Sequence, residues 1–280
     1  MVVNQIYHHQ PDIIAATNWL FNHEQLLHIV SRAKALLPHC CIVLGGPEFL
    51  GNNEAFLRKN KFVNGVFRGE GEEVFPIWLK VWNHPVNEWN QISGLCYLDE
   101  SDQYKDNGIA RVMNFSQLVS PEKSRFFNWN KPFVQLETTR GCFNTCAFCV
   151  SGGEKPVRTI SLEAIRERLN VIHQHGIKNV RVLDRTFNYN NKRAKELLHL
   201  FREYAPDICF HLEIHPALLS EELKEELAIL PNGLLHLEAG IQSLREPVLE
   251  KSRRIGKLSD ALQGLKLSLI HISEPTRRRG

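Results

Sequence analysis

Cys142, Cys146 and Cys149 lie in one loop, directly after a strand-like run from Phe133 to Thr139 and the turn Arg140-Gly141. The fold must therefore present three thiols together at the end of a strand. Three thiolates within eight residues can converge on one soft metal centre, because cysteine sulfur favours iron–sulfur clusters or zinc. A structural zinc takes four protein ligands, usually as two short couples far apart in sequence. The other cysteines, Cys40, Cys41, Cys96 and Cys209, are scattered and read as small packed residues. An iron centre with one open position is the better reading, and a zinc knuckle or three unrelated buried thiols are the alternatives.

Around that loop the chain alternates strands and helices. From Asp12 to about Asn83, apolar runs at Ile13 to Thr17, Cys40 to Leu44 and Gly65 to Arg68 read as strands. Leu26, Leu27, Val30, Ala33, Leu36 and Leu37 recur at helical spacing until Pro38 stops them. Alternation at this length implies a doubly wound parallel sheet with right-handed crossovers. Residues 84–131 read as a linker carrying a hairpin, its strands at Gly94 to Leu98 and Ala110 to Phe115, with Pro121 and Pro132 bracketing its end. From 132 to 265 the pattern repeats strand then helix. Strands are expected at Phe133 to Glu137, Val180 to Leu183, Phe210 to Ile214 and Leu234 to Ala239. Helices are expected at Leu162 to Gln174, Lys192 to Tyr204 and Glu221 to Leu230, with Ser161 and Ser220 as openers and Gly176 as a stop.

The Cys-x3-Cys-x2-Cys spacing, with Phe148 before the last cysteine, resembles the signature of the radical S-adenosylmethionine (radical SAM) superfamily. The resemblance implies a 4Fe-4S cluster on Cys142, Cys146 and Cys149, its fourth iron chelated by S-adenosylmethionine. It also implies one-electron cleavage of that cofactor to methionine and a 5′-deoxyadenosyl radical, with the protein supplying position and protection. In the family picture the core is a partial (β/α) barrel, and about four units are present here, so the barrel is expected to be truncated at its C-terminus and the chain by itself inactive. Strands of such a barrel end in their working residues. By resemblance, Asp184 and Thr186 after the second strand, Glu213 on the third, and Glu238, Gln242 and Ser243 in the Glu-x-Gly-x-Gln-Ser run are candidates for the cofactor. Arg254 is a candidate for its carboxylate, a role that the guanidinium fork suits, and Arg253 is its competitor. Gly152-Gly153-Glu154 looks like a family motif in the wrong place and reads as a turn. His173, His175, His199, His211 and His236 show no metal spacing and read as packed or surface residues.

Gly45-Gly46-Pro47-Glu48 and Gly69-Glu70-Gly71-Glu72 stand at strand ends of the first sheet, where ligands approach doubly wound folds. A sheet of this kind before a radical SAM core resembles the cobalamin-binding domain of one branch of the superfamily. Gly45, Gly46, Gly69, Glu70 and Gly71 are therefore candidates for cobalamin contact, the other reading being that the glycines simply make the turns. The branch's Asp-x-His-x-x-Gly loop has no counterpart before Pro11, since His8 and His9 lack the flanking residues. The first strand is accordingly expected to be missing, or the cobalt ligand lost.

The 280 residues carry 34 basic and 31 acidic side chains, a net charge of +3, so no global field points to nucleic acid. No apolar run reaches the ~18 residues of a membrane span, and the start lacks the order of a signal peptide. The odd, clustered cysteines suit a reducing, cytoplasmic setting. A one-electron reductant such as flavodoxin or ferredoxin is the implied partner, and the substrate is open. A tRNA methylthiotransferase-like enzyme is one alternative, but it would need three further cluster cysteines, and only the badly spaced Cys40, Cys41 and Cys96 precede the loop. A non-catalytic metal-binding module is another. The run from Leu267 to Arg277 resembles a translated sequencing-library adapter, which makes 266–280 an expected artefactual tail.

Overall fold

The computed structural model describes residues 2–115, 118–149, 151 and 154–268, in two compact units that divide between Asn114 and Phe115. In chain order the first unit holds α1 (Val2–His9), β1 (Ile13–Thr17), α2 (His23–Leu36), β2 (Cys41–Gly45), α3 (Glu54–Lys59), β3 (Gly65–Phe67), α4 (Val74–Trp78), β4 (Leu95–Leu98) and β5 (Tyr104–Asp106). The sheet order is β1-β2-β3-β4-β5, and β1, β2 and β3 run parallel, with Ile13 opposite Cys41 and Val43 opposite Gly65. Alternate side chains of β2 go to opposite faces. Ile42 and Leu44 pack with Val30, Leu57 and Val66, while Cys41 and Val43 pack with Trp78, Trp89 and Tyr97. Burial on both faces is why this strand reads as an unbroken apolar run, each such side chain contributing about 1.5–3 kcal/mol.

The expected linker is not a separate element. β4 pairs antiparallel with β3, and its partner is β5 rather than Ala110 to Phe115. An unpaired edge on β3 would leave a row of backbone donors and acceptors exposed, and the hairpin covers it. The hairpin turns early because the Asp99 carboxylate accepts from the Ser101 and Gln103 amides, each near 2.9 Å, closing a tight loop that Asp102 completes at φ 59. Ala110 instead bridges Gly69. Further along, residues after Phe115 pack on the second unit, where the fully buried Glu122 carboxylate pairs with Arg168 at 2.8 Å.

The second unit holds β6 (Val134–Leu136), β7 (Thr139–Arg140), β8 (Arg158–Thr159), α5 (Leu162–Gln174), β9 (Asn179–Val182), α6 (Asn191–Arg202), β10 (Cys209–Ile214), α7 (Glu221–Ala228), β11 (Leu235–Ala239), α8 (Glu246–Lys251) and α9 (Leu258–Ser268). Its main sheet, in the order β6-β9-β10-β11, is entirely parallel. The helix starts are capped as the sequence suggests, Ser161 accepting from the Ala164 amide and Ser220 from that of Leu223, with Asn190 serving α6. One face of the sheet, with Leu136, Val182, Phe210 and Leu212, packs on Ile165, Leu169, Leu197 and Phe201. The other face carries Gln135, Arg181, His211, Glu213, His236 and Glu238. This period-two alternation is the mark of a half-covered sheet.

Among the described residues no helix is long and apolar enough to cross a membrane. Helix α9 runs to Ser268, past the boundary expected at 265; residues 269–280, with most of the adapter-like run, and Gly152-Gly153 lie outside the described residues.

Candidate functional site

The three cysteines occupy the tip between β7 and β8, which pair antiparallel with Thr139 opposite Thr159. This hairpin rises from the carboxyl end of β6. Three contacts fix the loop. The Cys142 amide donates to the Glu154 carbonyl at 2.9 Å, the Ala147 amide to the Ser252 carbonyl at 2.9 Å, and the Cys149 amide closes a turn on Cys146 at 3.1 Å. At its base the Arg140 guanidinium grips Glu137 with both prongs, at 2.7 and 2.8 Å. Cys142 and Cys146 are buried and Cys149 is exposed, and all seven cysteines are free thiols.

No three Cys, His, Asp or Glu side chains among the described residues are gathered as ligands of a single metal ion. A zinc tetrahedron with Zn–S near 2.3 Å would draw its sulfurs to roughly 3.8 Å of one another. A cluster asks for less convergence, since each thiolate takes its own iron. Three free thiols in one anchored loop, open on the side of Cys149, fit that group in donor chemistry. The remaining cysteines do not compete. Burial raises the thiols of Cys40, Cys96 and Cys209, and pushes Cys41 up to about 11, which leaves them as packed, protonated side chains.

Behind the loop, buried polar side chains tie the strand ends to one another. Asp184, just past β9, is 1% exposed. Its carboxylate accepts from the amides of Thr138 and Thr139, both at 2.9 Å, and from the Thr138 hydroxyl. Burial raises its pKa, and those three donors pull it back. The carboxylate of Asp184, expected as a cofactor contact, thus holds the root of the cysteine hairpin through three donors, two on Oδ1 and one on Oδ2. Asn188, equally buried, bonds the His215 backbone twice, its amide donating to the carbonyl at 2.9 Å and its oxygen accepting the N–H at 2.8 Å. Arg193 from α6 donates to the carbonyls of Thr138 and Ile160. Arg254 donates to the Gly240 carbonyl at 2.7 Å, bracing the end of β11.

The other expected residues are placed as follows. The Thr186 hydroxyl donates to the Arg185 carbonyl. Glu213 and Glu238 are register partners on β10 and β11; burial and then the neighbouring Glu238 charge push Glu213 up, against the pull of Arg185 and Arg181. Gln242 stands at φ 71 beside Gly240. The Ser243 hydroxyl accepts from the Arg245 amide at 3.1 Å. Arg253 is exposed and Arg254 half-buried. Sequence reading missed Asn188 and Arg193, whose roles are backbone contacts invisible in a motif. It also passed over His211 and His236, although the tripeptide His-Leu-Glu occurs in both β10 and β11.

In the first unit two of the glycines are needed by the chain itself. A Cβ on Gly46 (φ 110) would meet the Asn18 carbonyl oxygen at 2.5 Å, and one on Gly69 (φ 99) would meet that of Ala110 at 2.3 Å. Glu70 accepts from the Val112 amide at 2.6 Å. A Cβ on Gly45 would make ordinary contact with Phe67 at 3.8 Å, and one on Gly71 would meet nothing within 4 Å.

Fold and site together define an α/β protein of parallel strand–helix units that carries an anchored three-thiol loop at the carboxyl edge of its second sheet. Residues 136–271 match the radical SAM superfamily. An uncharacterised methyltransferase of Pyrococcus horikoshii is 26% identical over 255 residues, covering 86% of this chain and 53% of that protein. The structure of OxsB, described as a cobalamin-dependent S-adenosylmethionine radical enzyme with aqua-cobalamin and S-adenosylmethionine bound, aligns at TM-score 0.76 and 19% identity, over 95% of this chain and 40% of that one. TsrM from Kitasatospora setae, a radical S-adenosylmethionine methyltransferase with cobalamin and a [4Fe-4S] cluster, aligns at 0.72 and 16% identity, over 96% and 56%. At these identities the two structures speak for the fold. The chain spans about half the length of the curated relatives it matches.

Proposed function

We propose that the protein is a radical SAM enzyme of the cobalamin-assisted, methyl-transferring kind, holding a 4Fe-4S cluster on Cys142, Cys146 and Cys149. The observation that carries this reading is the anchored hairpin with three free thiols inside the segment that matches the superfamily. A cluster bound there, reduced by one electron, supplies the reductive cleavage of S-adenosylmethionine. The chain's own residues position the loop and the cofactor. Asp184, Asn188 and Arg193 fix the strand ends. Arg254 offers the rest of its guanidinium to a carboxylate, and Thr186, Glu213, Glu238, Gln242 and Ser243 offer polar groups beside it. The likeness to OxsB and TsrM, both solved with cobalamin, supports cobalamin as the second cofactor, with Gly45, Gly46, Gly69, Glu70 and Gly71 as its contacts.

A cytoplasmic setting agrees with seven unpaired thiols, and a flavodoxin or ferredoxin would supply the electron. Anaerobic reconstitution with iron and sulfide tests the reading through the broad visible absorption of the product. A Cys142→Ala, Cys146→Ala, Cys149→Ala triple variant that keeps a full iron complement would overturn it. Hydroxocobalamin titration tests the second cofactor separately.

A further inference from the structure

The polar face of the second sheet carries an ordered chain of hydrogen bonds that joins Glu238 to two histidines with no role assigned above. His211 on β10 and His236 on β11 are register partners, their Nδ1 atoms 3.1 Å apart, with the rings edge to face at 4.7 Å between centroids. The other nitrogen of His211, Nε2, lies 3.1 Å from Glu238 Oε2. These contacts set the tautomers. A carboxylate can only accept, so His211 Nε2 carries the proton; its Nδ1 is then the acceptor, and His236 must donate from Nδ1. His236 is left with a bare Nε2 lone pair, backed by an imidazole that is itself backed by a carboxylate. No metal geometry is present among the described residues, so the arrangement is one for protons.

We propose that Glu238, His211 and His236 form a proton-accepting relay whose open end is His236 Nε2, serving a substrate that presents an ionisable N–H or O–H to this face of the sheet. When the donor's X–H bond breaks, X keeps the electron pair and the proton joins His236 Nε2. The Nδ1 proton of His236 passes to His211 Nδ1, and the resulting imidazolium of His211 stays hydrogen-bonded to the Glu238 carboxylate. No oxidant or reductant enters. Arg181 on β9 opposes a positive charge on His211 and Glu238 on β11 favours it, while Glu213 on β10 faces Glu238, Arg185 and Arg181; burial, Arg181 and His236 together hold His211 below its ordinary pKa. The His211 ring is therefore held in its neutral form, ready to take a proton. Only the identity of the donor rests on the function proposed above.

Two readouts need neither cluster nor cofactor, so their failure is distinct from failure of that function. Histidine-selective nitrogen-15 NMR of the full chain should show His211 as the Nε2–H tautomer and His236 as the Nδ1–H tautomer. Diethyl pyrocarbonate, which acylates unprotonated imidazole, should modify His236 at least about threefold more slowly in Glu238→Gln than in the parent, because the isosteric amide no longer supports the relay. Peptide mass spectrometry reads that rate, with the exposed His39 as internal reference. An Nδ1–H tautomer at His211, or a His236 acylation rate indifferent to Glu238→Gln, would overturn the proposal. Should Glu238→Gln fail to fold, the tautomer in the parent protein decides the matter.

Discussion

The two sheets solve the same problem, holding the carboxyl ends of parallel strands in place, by opposite means. In the first unit the backbone does it: Gly46 and Gly69 let neighbouring chain approach so closely that no side chain fits. In the second unit buried polar side chains do it, Asp184 reaching back to Thr138 and Thr139 beyond β6 and Asn188 across to His215 beyond β10. A backbone solution leaves a smooth, small-residue edge. A side-chain solution ties the cysteine loop to particular donors and acceptors, so the position of the thiols depends on groups that a single substitution can remove.

The largest effect expected from this contrast is all-or-none. Replacing any one of Cys142, Cys146 and Cys149 by Ala should abolish the cluster absorption after reconstitution, while Cys40→Ala or Cys96→Ala in the first unit should leave it intact. Absorption lost equally in both sets would break the comparison. Next, Asp184→Ala orphans three donors at the hairpin root, and at about 1–3 kcal/mol for each buried group left unmade it should lower stability by at least roughly 3 kcal/mol. Denaturant titration measures this, and iron uptake should fall with it. Gly69→Ala in the first unit forces a Cβ against a backbone oxygen at a positive φ and should cost about 2–3 kcal/mol. Gly71→Ala, which meets open space, should stay within about 0.5 kcal/mol and so leave cobalamin titration as the sole probe of that position.

The smallest effect is a pH limb. His215 is 4% exposed, and burial followed by the Arg254 charge lowers its pKa from 6.5 to about 4. The unfolded chain takes up a proton that the folded ring refuses. Stability is therefore full above about 6.5 and declines as pH falls toward about 4. No histidine of the first unit is buried among the described residues, so hydrogen exchange should show the decline in the second unit first, and His215→Phe should flatten it.

The legible and illegible parts of this protein divide by range. The helix over Leu162–Gln174 is written locally, in a Ser161 cap, a 3.6-residue stripe and Gly176, and it appears with those bounds. The cysteine spacing is likewise local. What sequence could not give is pairing. Nothing in Tyr104–Asp106 announces that it, and not Ala110 to Phe115, completes the hairpin with β4. Asp184 has the residue type of a ligand contact, and only the fold shows that two threonines far upstream have taken its oxygens. The His-Leu-Glu tripeptides of β10 and β11 were visible, but their meaning lies in a register that aligns His with His and Glu with Glu.

The Asn188 contact has a consequence for chemical ageing. Its side-chain amide stands in for a strand, offering one donor and one acceptor to a single residue's backbone. Hydrolysis of that amide to a carboxylate keeps the shape but turns the donor into an acceptor, which then faces the His215 carbonyl in a buried site. A sample stored long enough to deamidate there would lose the latch on β10 with no change in chain length and almost none in mass. Its rigidity would then decline with the age of the preparation, and an Asn188→Asp variant made deliberately would reproduce the old protein on the first day.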